Sequence, residues 1–171
     1  FIEKESMMEM TSTQRLILIN QYELMALLDK ENADKYRRYQ NIIKGGYRLN
    51  LKELHKEFSE LSEDECKTVI NTLEMYQALQ VSYNNLHHKE DLTPHRLKFL
   101  GYCAIREKKY LNYLGFIAEN DKKYRDLIQC PNGCDAQTPM WDKYIKMLDV
   151  WHKCPRQFHL SLAEIKQVLN A

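Results

Sequence analysis

The chain has 171 residues, 29% of them charged, with Lys+Arg at 25 and Asp+Glu at 24. That is long enough for one domain with a real core, and too evenly charged for bulk electrostatics alone to gather nucleic acid or a membrane surface. No apolar run approaches the ~18 residues of a membrane span, and FIEKESMMEM lacks the charged and apolar regions of a secretory signal, so a cytoplasmic protein is expected.

Native translation is expected to begin at Met7 or Met8, with residues 1–7 an upstream or expression-derived leader and residues 8–171 a single all-helical domain. Thr11 and Gln14 form a capping box, in which each side chain satisfies a free backbone N–H of the other. The helix they open carries Leu16, Ile17, Leu18, Ile19, Tyr22, Leu24, Met25, Leu27 and Leu28, which leaves almost no polar face. Such a helix is either the central element of the fold or part of an oligomer interface.

Asn32 is a plausible cap for a second helix through Tyr36, Tyr39 and Ile43, which Gly45 and Gly46 end. Leu51, Leu54 and Phe58 repeat the helical spacing after Asn50, and Ser62 with Glu65 makes another capping box ahead of Cys66, Val69, Ile70, Leu73 and Tyr76. The polar stretch SYNNLHHKEDLT is the longest connection, and a division into sub-lobes, if there is one, is expected at 83–93. Thr93-Pro94 predicts a helix start with Leu97 and Leu100 on one face, ending at Gly101. A longer pattern runs from Tyr110 to Ile128 with a polar break at Asn120 and Asp121. Thr138-Pro139 opens a helix that Pro155 stops, and Ser161 with Glu164 opens the last. The sum is an all-α array of about eight or nine helices with short loops.

Between those prolines, Trp141, Ile145, Leu148 and His152 line one stripe and Met140, Tyr144, Met147 and Trp151 its neighbour, as a helix packed on two sides requires. If a site exists there, its candidates are His152, Cys154 and His159, with Arg156 beside them, but H-x-C-x4-H is not an established zinc spacing. Cys130 and Cys134 flank Pro-Asn-Gly, which is half a metal knuckle or a redox pair; five cysteines without an export signal favour reduced thiols over a disulfide framework.

Residues 50–81 have the two-helix spacing of a helix-turn-helix, with VSY as the start of a wing strand, although Glu63, Asp64 and Glu65 would meet phosphates with the wrong sign. KYRRYQ sets Arg37 and Arg38 between tyrosines, a pattern that could clamp single-stranded nucleic acid, or equally place tyrosines inward and arginines in water. There is no Gly-rich phosphate loop, no G-x-S-x-G and no H-E-x-x-H, so no residue is singled out as catalytic and no cofactor or metal is expected.

MEMTSTQRLILINQYELM, KYRRYQNIIKGGY, ALQVSYNNL and above all AQTPMWDKYIKMLDVWHKCPRQFHLS resemble the YfbU family of bacterial proteins from Met8 to Ala171. The resemblance implies a mostly helical bacterial cytoplasmic protein and brings no catalytic residues with it. Cys154 and Pro155 belong to the matching block, whereas a pair like Cys130 and Cys134 is not part of the family pattern. The function expected is non-enzymatic: an interaction or regulatory protein that forms a homo-oligomer and binds a protein partner. Nucleic-acid binding through 50–81 is the alternative, and a small metal- or thiol-dependent enzyme the second.

Overall fold

A computed structural model of the chain describes residues 9–56 and 58–171; the expected leader at 1–7 lies outside the described residues. All the regular structure among them is helical: α1 (Ser12–Leu28), α2 (Ala33–Gly45), α3 (Arg48–Leu51), α4 (Glu63–Asn84), α5 (Lys108–Asn120), α6 (Arg125–Ile128), α7 (Trp141–His152) and α8 (Leu162–Leu169), with 3-10 turns at Lys52–His55 and Pro94–Leu97. The all-α expectation holds. The three capping boxes are present at α1, α4 and α8, and Gly46 ends α2 in the left-handed conformation, φ 64°, because each signal depends only on residues a turn apart.

The chain forms two compact units, Phe1–Ser59 and Glu60–Ala171. In the first, α1 and α2 make an antiparallel hairpin. The Arg15 guanidinium donates to the carbonyls of Ile43 and Lys44 at the end of α2, Gln40 Nε2 donates to Ile19 O and to the Glu23 carboxylate, and Tyr22 sits against Tyr36 and Tyr39. Of the described residues in this unit only Ala26, Gln40, Ile42 and Ile43 are buried.

α1 is therefore not the central element that its composition allowed. That role falls to α4, which buries nine side chains against one in α1. Val69, Leu73, Met75, Ala78 and Leu79 of α4 are fully enclosed by α7, α8, α5 and α6, and the stripe is wide because Thr72 and Ser82 bury their hydroxyls with partners at Thr68 O and the Leu160 N–H. Tyr76, Phe99, Tyr102 and Tyr144 meet ring to ring at 5.4–6.2 Å, a separation at which aromatic edges and faces attract.

Three local expectations fail for physical reasons. The helix expected from Leu51 through Phe58 is cut to a single turn of α3 and a 3-10 turn. The one expected at Thr93 is only a 3-10 turn, and Leu100 is exposed, because four residues without a side-chain cap cannot hold a longer helix. VSY continues α4 and starts no wing strand. Segment 83–93 lies inside the second unit, where Tyr83 Oη donates to Leu92 O and Leu92 is buried.

Candidate functional site

The Trp-rich C-terminal block resolves into one packed stripe. Tyr144, Met147 and Trp151 of one stripe are buried, and of the neighbouring stripe Leu148 is buried while Ile145 and His152 are exposed, so the second side of α7 is packed only in part. Trp151 Nε1 donates to Gln157 O and the Cys154 N–H to Trp151 O, which folds the Cys-Pro turn back over the end of α7. Within that turn His152, Arg156 and His159 face solvent. The Cys154 thiol lies 3.5 Å from Val150 O, and burial together with the Glu164 carboxylate pushes its pKa up, which disfavours a thiolate nucleophile. Among the described residues no three His, Cys, Asp or Glu side chains converge on one point, so His152, Cys154 and His159 are not brought together.

Arg37 and Arg38 line an open cleft of about 410 Å³ with Asn41, Tyr47 and Asn50. Both are already paired. Arg38 grips Glu53 with two bonds of 2.9 and 2.8 Å, and with Asn50 it holds the Glu53 carboxyl down at about 2; Arg37 lies 3.4 Å from Glu23. A phosphate would have to displace a carboxylate from each guanidinium, which sets a cost against the gain of binding. The helix-turn-helix segment divides differently from its spacing: 50–55 belongs to the first unit, and α4 turns its stripe into the core of the second.

Cys130 and Cys134 are joined in a disulfide with Cα atoms 4.9 Å apart, so the expectation of five reduced thiols is corrected. The intervening Pro-Asn-Gly turn brings the two Cβ atoms together whatever compartment composition suggests. Cys66, Cys103 and Cys154 are free thiols.

The residue that sequence reasoning missed is Glu107. Its buried carboxylate accepts N–H bonds from Cys103 at 3.1 Å, Met140 at 2.6 Å and Trp141 at 2.9 Å. It thus caps α7 from a distance in sequence of more than thirty residues, where Thr138 was expected to cap it, and the negative charge suits a helix N-terminus. Around it the phenols are poor proton donors: burial pushes Tyr76 up to about 12 and Tyr102 and Tyr144 higher still.

The largest unexplained feature is α1. Leu16, Ile17, Leu24 and Leu27 are each more than half exposed and Leu28 is 86% exposed. The only charges of this helix, Arg15 and Glu23, both turn to α2, which leaves the outer face uncharged and largely apolar, with Asn20 as a polar position in it.

Residues 8–171 match the YfbU domain. The chain belongs to the YfbU family. It is 67% identical to a UPF0304 protein of Histophilus somni, 66% to one of Pasteurella multocida and 65% to one of Mannheimia succiniciproducens, each over 164 residues that make up 96% of this chain and 100% of the relative. Among the described residues of this YfbU chain no helix is long and apolar enough to cross a membrane.

Proposed function

We propose that this YfbU protein is a non-enzymatic interaction protein that works as a self-associated assembly, two copies joining through the outer face of α1. The observation that carries the reading is that apolar, charge-free face. Positions 17, 20, 24 and 27 repeat with the alternating spacing of a coiled-coil seam, and Asn20 supplies the polar position that fixes register in such seams. Two hairpins meeting along α1 make a four-helix bundle, which encloses what one hairpin leaves in water. A second copy suits the face better than a charged partner, because like meets like without repulsion. Leu16, Ile17, Leu24, Leu27 and Leu28 share that face, and their enclosure between two copies is the apolar burial that drives association.

Light scattering during size-exclusion chromatography at micromolar concentration tests this. The expected mass is twice that of the 20.5 kDa chain, and a Leu24→Glu, Leu27→Glu variant is expected to run as a folded monomer, since each carboxylate would be carried into an apolar seam. A monomeric wild type defeats the proposal. Salt-sensitive binding of DNA or RNA that is lost in Arg37→Ala, Arg38→Ala would replace it with a nucleic-acid role.

A further inference from the structure

We propose that Cys130 and Cys134 are a reversible dithiol–disulfide couple that exchanges with a dithiol reductant, attack falling on Cys130.

The backbone around the pair is fixed without help from the sulfur bridge. Cys134 O accepts the Tyr102 N–H and Tyr102 O accepts the Ala136 N–H, both at 3.0 Å. The Asp135 carboxylate accepts the N–H groups of Ala104 and Gln137. Gly101 lies so close that a Cβ there would stand 1.8 Å from Cys134 O. On the other arm, the Gly133 N–H closes the turn onto Cys130 O at 3.1 Å. Opening the disulfide therefore leaves the cysteines in place, at the high effective concentration that lets the ring close again.

The sulfurs are provided for in both states. Phe99 O lies 3.6 Å from Cys130 Sγ and Ile128 O 3.0 Å from Cys134 Sγ, so on reduction each S–H finds an acceptor already in position. As a staple the bridge does little. It closes a loop with a sequence separation of only 4, and cross-linking restrains the unfolded chain less the shorter the loop. What it offers is chemistry.

Access sets the direction of attack. Pro131, Asn132 and Gly133 are exposed and Cys130 is half-buried, while Cys134 is 3% exposed. One thiolate of the reductant attacks Cys130 Sγ; a mixed disulfide forms, the Sγ–Sγ bond breaks, and Cys134 leaves as a thiolate that takes a proton. The second thiol of the reductant then attacks the reductant sulfur of the mixed disulfide and releases the Cys130 thiolate, which is protonated in turn. The reductant departs as its own cyclic disulfide, having given two electrons and two protons to the protein; oxidation by a disulfide runs the same steps backwards.

The experiment equilibrates the full chain, without denaturant, in a series of reduced and oxidised dithiothreitol mixtures, quenches each by unfolding it in excess iodoacetamide and maps the labelled peptides by mass. Cys130 and Cys134 are expected to gain and lose label together, reversibly, while near-ultraviolet circular dichroism from Trp141 and Trp151 stays native. In Cys134→Ser, oxidised glutathione added to the native chain is expected to trap a mixed disulfide on Cys130; in Cys130→Ser, it is expected to trap none on Cys134, whose burial shields it. A bridge that opens only in denaturant, a pair fully labelled at the oxidising end of the series, or loss of the tryptophan signal on reduction overturns the proposal.

Discussion

At the scale of single residues, Glu107 is the side chain on which the second unit turns. It joins the 103 segment to the start of α7 through three N–H groups, those of Cys103 and Met140 buried and that of Trp141 partly so. Glu107→Ala leaves those groups without a partner at about 1–3 kcal/mol each, so a loss of roughly 3 kcal/mol or more is expected, seen as a lower urea midpoint with an unchanged slope. Glu107→Gln, which keeps one acceptor oxygen, is expected to fall between. A midpoint unchanged in Glu107→Ala would show that water takes over all three bonds. Nothing near Glu107 in the chain announces this, because its partners at 140 and 141 are brought to it only by the fold; in IREKKY it passes for one charge of a solvated run. Gly101 is hidden in the same way. Its φ of +82° and the closeness of Cys134 leave no room for a side chain, and Gly101→Ala is expected to abolish two-state thermal unfolding of the unit, a strained backbone being added to a clash.

At the scale of elements, what depends on neighbours within one turn was readable and what depends on distant partners was not. Thr11, Ser62 and Ser161 each announce a helix because the box they make is completed three residues on. The rank of the helices could not be read so. α1 is more apolar than α4 on paper, yet α4 holds the core, because its enclosure comes from α5, α7 and α8, whose positions no local pattern states. Glu65 shows one such long link at work. It closes the capping box of α4 and also bonds Lys109 and Tyr110 of α5, and Lys109, ahead of the Ser62 N–H, holds its carboxyl down at about 2 from an ordinary 4.5. A carboxyl lower in the folded than in the unfolded chain gives stability that is present above about pH 4.5 and lost as pH falls toward 2. The thermal midpoint is thus expected to drop across that window, and Glu65→Gln to melt lower at pH 7 with a flatter acid limb. Parallel acid limbs in circular-dichroism melts of the two proteins would remove Glu65 from the account.

At the scale of the whole molecule, the two units differ in what they can hold by themselves. The division after Ser59 falls in a short polar stretch that looked like an ordinary turn, while the longer polar segment 83–93 is spanned by the Tyr83–Leu92 bond. Composition reports polarity, and a boundary is set by where contacts stop. Glu60–Ala171 has the continuous core built on α4. In Phe1–Ser59 the buried described residues number four, one of them a glutamine, too few for a hairpin to offset the conformational entropy of ordering it. If, as proposed, a second copy covers α1, mass action ties the folding of this unit to protein concentration. Heat denaturation is expected to proceed in two steps, the lower one moving up in temperature as the protein is concentrated tenfold and the upper one staying fixed. In Leu24→Glu, Leu27→Glu the lower step is expected to become independent of concentration and to shift down, with the upper step unaltered, because those side chains lie in the first unit only. Differential scanning calorimetry at two concentrations reads both steps; a single transition indifferent to concentration would mean that α1 keeps its apolar face in water at no cost, against the general rule that such faces are covered.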